Sequence, residues 1–488
     1  MLCTDATVVL DVMNTDANKT VDQEEQIRCR TIAIRRLIRK IDWRFIPFLF
    51  LLEMLQYLIR ISIGHAKLMD IGKDIDLSTT DQQLAVSLFF VAYLIFELPS
   101  IFLMRYLGPA SYLPISIFAW GSLTVGMAFV NNAQALFAVR FLLGIAQAAF
   151  FPGLVIYISI WYPKKYHMMR LAILYGAAIT AGALGSILAY GFKKMDGSRN
   201  LNGWQWMFLI EGLPMIPLGI ATFFLLSNIP DNADWLTMHE RNLLINILLQ
   251  DTPVVQFDHR RLSWRQVSHA FIDHRVYLYV LITTGVLGII KYLSTYLPSI
   301  IKDMGTSTEV VQLMTAPPYG FAFLMCLLVA YSSSRKNEHG FHLVFCLFVA
   351  LLGFILLAAV NNFSQTGMYV IGCVICCGVF SALPILLSWA TNNIDGHTKK
   401  SIAIGFMIGA GQLGGIIFPL INDDISTSRR NNLICLGILA VSLIATIILR
   451  VCLIVENRRR ERLTPEEYEY EANIKEPCDW HPSVRYTL

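Results

Sequence analysis

Twelve apolar runs, each close to the length that a helix needs to cross a lipid bilayer, dominate this chain. They lie near 45–66, 84–104, 112–130, 135–161, 168–191 and 205–227, then near 276–300, 313–331, 341–361, 366–391, 401–421 and 432–455. A helix must offer about 20 consecutive apolar residues to span roughly 30 Å of hydrocarbon. The chain of 488 residues is 55% hydrophobic and 15% charged, with a mean hydropathy of +0.54, where a soluble domain carries about 25% charge. A water-soluble core cannot absorb that excess. An all-α membrane protein with twelve transmembrane helices in two six-helix halves is the expected fold.

The division into halves rests on two features. A polar segment, 228–275, carries Asp231, Asp234, Glu240, Arg241, Asp251, Asp258, Arg260 and Arg261, and reads as a cytosolic linker with short helices. It separates a bundle over 45–227 from a second over 276–455, flanked by cytosolic segments at 1–44 and 456–488. In addition, Ala181-Gly182-Ala183-Leu184-Gly185-Ser186-Ile187 matches Ala410-Gly411-Gln412-Leu413-Gly414-Gly415-Ile416 at an offset of 229 residues. Each copy follows a basic loop, Lys164-Lys165 or Lys399-Lys400, so helices five and eleven occupy equivalent places. Two-halved transporters show parallel repeats of this kind, with the substrate held between them near the bilayer midplane.

An even number of spans puts both termini on one side. Of the 39 Lys and Arg residues, 28 fall on the side of the termini when Arg170 and Arg450 are counted with the adjoining loop and tail, 8 fall on the other, and Arg60, Arg140 and Lys291 lie within spans, so that side is expected to face the cytosol. The acidic start (Asp5, Asp11, Asp16, Asp22, Glu24, Glu25) lacks a basic n-region and short apolar core, and no cleavable signal is expected. A net charge of +4 gives no reason to expect nucleic acid. Cys373, Cys376 and Cys377 lie in an apolar run without histidine, which indicates packing and not a metal site. The glycines of 176–191 and 405–415 follow no strand and precede no phosphate-loop lysine, so they read as close helix packing. No Ser/His/Asp or His/Glu set occurs in a span, and neither enzyme nor cofactor is expected. Asn362-Phe363-Ser364 is a glycosylation sequon too close to the membrane to expect use.

Ionisable groups at membrane depth are costly and mark polar cavities. Here they are Glu53, Arg60, Glu97, Arg140, Glu211 and Lys291. Glu53, Tyr57, Arg60 and Gly64 form one helical stripe, and Arg60 keeps its charge while offering a fork suited to a carboxylate. It is either an anion contact or the structural partner of Glu53 or Glu97. Arg140, Gly144, Gln147 and Phe151 repeat the spacing, leaving Arg140 as substrate contact, gate or snorkelling anchor. Lys291 shares a face with Thr284, Gly288 and Thr295 near mid-span, without an acid within two turns. It either binds an anion, meets a carboxylate of another helix or deprotonates.

Several stretches resemble the fungal anion:cation symporter family, the allantoate and nicotinate permease group of the major facilitator superfamily. They are Ala92-Tyr93-Leu94-Ile95-Phe96-Glu97-Leu98-Pro99-Ser100, Arg140-Phe141-Leu142-Leu143-Gly144, Phe150-Phe151-Pro152-Gly153, Trp161-Tyr162-Pro163, and Gly203-Trp204-Gln205-Trp206-Met207-Phe208 with Ile210-Glu211-Gly212-Leu213-Pro214. The second half adds Pro317-Pro318-Tyr319 and Trp389-Ala390-Thr391-Asn392-Asn393. The resemblance covers nearly the whole chain. It implies the major facilitator fold, an organic anion substrate and the plasma membrane.

The departures carry information too. The family's helix-one signature is similar to Tyr-Leu-Asp-Arg-x-Asn-Ile-Gly-Asn-Ala, and here Ile59 replaces the acid; in helix four Gln147 replaces a glutamate. By the resemblance Arg60 and Arg140 are substrate-anion contacts, with Tyr57 and Asn393 lining the cavity. Lys291 adds positive charge, and Glu53 or Glu97 is left as the proton-coupling candidate. The expectation is a monomeric carrier of a small organic anion working by alternating access, with Arg60 and Lys291 facing each other across the halves. The alternative is a non-transporting nutrient sensor on the same fold. The groups are expected to line a watery vestibule.

Overall fold

The computed structural model describes residues 16–251, 262–303, 308–359, 365–421, 429–474, 476 and 478–488. Among these residues the chain is helical throughout, with no strand. Twelve long passes can be traced. The first six are α1 (Asp16–Leu68), α2 (Thr79–Leu107), α3 (Pro109–Met127), α4 (Ala133–Gln147, continued by Phe150–Trp161), α5 (Lys164–Lys193) and α6 (Gly203–Gly212, continued by Met215–Leu225). The last six are α7 (His274–Asp303), α8 (Thr308–Lys336), α9 (Gly340–Ala359), α10 (Gln365–Asn393), α11 (His397–Gly411, continued by Leu413–Ile421) and α12 (Arg429–Glu461). The expected sequon falls outside the described residues.

Eleven of the passes are long and apolar enough to cross a bilayer by themselves. The exception is α3, 19 residues long, whose Ser111, Tyr112, Ser116, Ser122 and Thr124 lower its hydropathy. It packs against α2, both parts of α4 and both parts of α6, so protein and not lipid covers much of its polar surface. Between α6 and α7 lie two short helices, Met238–Asp251 and Trp264–Ile272.

The pass α9 shows the pattern that a bilayer selects. Along α9 the exposed residues Phe341, Phe345, Phe348, Leu352 and Ile355 follow helical spacing, while Leu343, Cys346, Leu347, Ala350 and Phe354 are buried. Both faces are apolar because the outer one meets hydrocarbon and not water. Breaks fall where the backbone ladder is weakened: at Pro214 in α6, and after Gly411 in α11. Sharp turns are capped. Ser78 forms a capping box with Asp81 at the start of α2, and Gly108, with φ of +83°, turns α2 into α3.

The repeated small-residue stretches sit at helix contacts. α5 packs on α8 and α2 on α11, each pairing one of the first six passes with one of the last six. A Cβ on Gly182 would lie 2.8 Å from the Tyr319 ring, and one on Gly414 only 2.4 Å from the Gly288 backbone. The expected packing role holds, since nothing larger than glycine fits these approaches.

On the side of the termini the two sets of passes are locked together. Lys164 Nζ, at the start of α5, lies 2.8 Å from Asp395 Oδ2 in the turn between α10 and α11. Arg105, at the end of α2, donates to the His397 carbonyl at 2.7 Å and to Ser401 Oγ at 3.1 Å. The molecule is therefore closed on that side.

Candidate functional site

Two neighbouring aromatic residues on α2 organise the centre of the molecule. Phe89 and Phe90 meet edge to face, with centroids 5.1 Å apart. The Arg60 guanidinium carbon lies 5.8 Å from the Phe89 centroid and the Arg140 carbon 5.9 Å from it. Lys291 Nζ lies 4.0 Å from the Phe90 centroid. All three cations singled out in the sequence thus converge on one pair of rings, Arg60 and Arg140 from α1 and α4, Lys291 from α7. The negative faces of the rings attract these cations, by about 0.5–2 kcal/mol for each contact.

Arg60 is held further by Tyr93, at 5.0 Å, and Tyr57, at 5.9 Å. The Tyr57 and Tyr319 hydroxyls both approach Ser294, linking α1 to α7 and α8. Among the described residues neither Arg60 nor Arg140 forms an ion pair, and Nε and Nη2 of each lack a hydrogen-bond partner. Rings flank both guanidinium groups, and among the described residues no carboxylate forms an ion pair with either, which leaves fork donors open to an anion.

Arg140 is 1% exposed, so it does not snorkel to an interface. It reaches the centre because α4 approaches α2 closely at Gly144, where a Cβ would stand 2.4 Å from the Phe89 carbonyl oxygen. Glu53 and Glu97 are buried, and Glu53 Oε2 and both Glu97 oxygens have no hydrogen-bond partner. Glu53 feels Arg60, and Glu97 feels both Arg60 and Lys291. Glu97 also packs against Gly409 of α11, at the contact between the two sets of passes. With every group charged, three cations meet two carboxylates.

Gln147 and Ile59, which stand where the resembled family has acids, are both buried. Gln56 Nε2 donates to Gln147 Oε1 at 3.0 Å, while Gln147 Nε2 has no partner. Glu211 accepts a hydrogen bond from Ser62.

Asn393 is not brought into this centre. Its Nδ2 donates to Tyr279 Oη at 3.1 Å and to the Thr487 carbonyl at 2.9 Å, and its Oδ1 accepts from Thr487 N at 2.8 Å. The expectation that it lines the cavity is corrected: the chain's last segment occupies its side chain. Phe89, Phe90 and Tyr319 were not named as site residues from the sequence. The Phe89, Tyr93, Glu97 spacing of four on α2 was the available signal.

Twelve passes, glycine-lined contacts between the first six and last six, and cations gathered where those sets meet define a polytopic transporter fold. The match to the Major Facilitator Superfamily over residues 49–419 shows that the chain belongs to that superfamily and is one of its membrane transporters. It is 32% identical over 444 residues to the MFS transporter prlL of Fungal sp. (strain NRRL 50135), covering 88% of this chain and 89% of that one. A putative tartrate transporter of Agrobacterium vitis is 32% identical over 419 residues, covering 85% and 91%. The fold matches the partially occluded inward-open xylose transporter XylE of E. coli with a TM-score of 0.61 at 13% identity, covering 82% of this chain and 96% of that one. The specific allantoate and nicotinate permease group is narrower than this match.

Proposed function

We propose that the chain carries a small organic anion across the membrane by alternating access, with the anion's carboxylate taken by Arg60 and Lys291 and supported by Arg140 and Tyr57. The observation that carries this reading is the convergence of three cations from α1, α4 and α7 on Phe89 and Phe90, with unpartnered guanidinium nitrogens. An arriving carboxylate supplies the hydrogen bonds that the rings cannot. The two six-helix halves, 45–227 and 276–455, rock about the site. The termini face the cytosol and the membrane is the plasma membrane, a reading supported by the Lys and Arg asymmetry and by the family resemblance.

With Ile59 and Gln147 unable to exchange a proton, any coupling runs through Glu53 or Glu97. Uptake of labelled mono- and dicarboxylates, tartrate among them, into reconstituted vesicles tests the proposal. Saturable flux that is lost in Arg60→Gln and Lys291→Gln supports it. Saturable binding without flux means a sensor and overturns it. Collapse of the proton gradient by a protonophore, across a pH series, then separates coupled from uncoupled transport.

A further inference from the structure

The segment 478–488 is folded into the terminal-side face of the last six passes. Asp479 is 1% exposed. Its Oδ1 accepts from Lys399 Nζ at 2.6 Å and its Oδ2 from Arg275 Nη2 at 3.1 Å. The same two cations hold Asp273: Lys399 Nζ donates to Oδ2 at 2.8 Å and Arg275 Nε to Oδ1 at 2.9 Å. Two carboxylates and two cations thus form a closed buried square, anchored to the end of α12 by Arg460, which donates to the Asp479 carbonyl at 3.0 Å.

Besides contacts with Asn457 and Arg460 of α12 and with His339, this segment touches the end of α10 and the turn between α10 and α11. Thr487 exchanges hydrogen bonds with Asn393 and accepts one from Trp389 Nε1 at 2.8 Å. Cys478 packs on Gly396, whose φ is +91° and whose Cβ, if present, would lie 2.5 Å from Cys478 Sγ. Lys399 is in the first turn of α11. The turn held at Asn393, Gly396 and Lys399 is the one that presents Asp395 to Lys164 across the molecule.

We propose that Asp479 is a positioning residue for the terminal-side gate: by tying Lys399 and Arg275 together it fixes the turn that carries Asp395, and so sets how long Asp395 and Lys164 keep that side shut. The inference rests on the alternating-access reading. Without Asp479 the two cations are left with one carboxylate, the α10–α11 turn loosens, and the open-to-closed ratio on the terminal side rises about tenfold, the worth of one charge-assisted hydrogen bond.

Spin labels at Tyr106→Cys and Lys336→Cys report the terminal side, and labels at Lys67→Cys and Thr366→Cys report the opposite side, each pair in full-length protein carrying Cys29→Ser. In Asp479→Asn the first distance is expected to lengthen and the second to shorten, reciprocal changes that mere loosening would not produce, and Asp479→Glu is expected to restore both in part. Asp395→Asn is the direct control. If it opens the terminal side and Asp479→Asn does not, the positioning role is overturned and the alternating-access reading stands; if neither variant moves the distances, both fall. Should Asp479→Asn fail to fold, a protease site placed in the exposed helix Pro465–Ala472 releases the segment from protein already folded, and unchanged distances after its removal overturn the proposal.

Discussion

A methyl group added to Gly144 would lie 2.4 Å from the carbonyl oxygen of Phe89, so the closeness of α4 to α2 and the placing of the central rings are one structural fact. Arg140 lies one turn from Gly144 and shares the Phe89 ring with Arg60. Gly144→Ala is expected to push the two helices apart at this level. Overpacking of this kind costs about 1–3 kcal/mol. The check is uptake kinetics beside thermal melting: KM for the transported anion rises about tenfold while the protein still folds.

Replacing Arg60 separates charge from shape. Arg60→Lys keeps the charge and loses the planar fork, and Arg60→Gln loses both. Uptake efficiency is expected to fall about 10-fold in the first and about 100-fold in the second, in line with about 1.5–3 kcal/mol for a charge-assisted hydrogen bond. Equal losses in the two variants would mean that the fork geometry alone matters.

Proton coupling is expected to be gained by restoring acids. Gln56 Nε2 already donates to Gln147 Oε1 at 3.0 Å, so a glutamate there finds a donor in place. Gln147→Glu combined with Ile59→Asp is expected to make uptake fall as external pH rises and to make it sensitive to a protonophore. Vesicle uptake at several pH values, with parent protein as reference, gives the answer.

The buried square around Lys399 lies outside the spans at Asp273, and it has a definite pH signature. Burial pushes the Asp273 carboxyl up, but the Lys399 ammonium and the Arg275 guanidinium outweigh it and hold the group below its ordinary 3.8. A depressed carboxyl pKa contributes stability that is present above the ordinary value and lost as pH falls through the folded one. Hydrogen exchange of residues 478–488, corrected for intrinsic rates, is therefore expected to stay constant from about pH 8 to pH 5 and to rise only below about pH 4.

The passes and the central cations were legible because the bilayer imposes a simple grammar: runs of set length, with rare charges standing out against them. Arg60, Arg140 and Lys291 stood out in that way, and the structure brings them to one pair of rings. The rings themselves were hidden, since Phe89 and Phe90 are two more apolar residues in an apolar helix. Asn393 was misplaced for the opposite reason. Its motif lies on a span, but its partner, Thr487, sits in a tail that reads from composition as polar and charged. The docking of Asp479 depends on Lys399 and Arg275 being adjacent in space although far apart in the chain, and no spacing along the chain reveals that.

Phe89 and Phe90 follow each other on α2, yet they answer to different partners. Phe89 holds Arg60 and Arg140, which travel with the first six passes, whereas Phe90 holds Lys291, which travels with the last six. In the proposed rocking of the two sets, the first grip rides along and the second lies across the moving boundary. Under the proposed alternating access, the Lys291–Phe90 contact, worth about 0.5–2 kcal/mol, is one of the interactions between the two sets that has to change as they move.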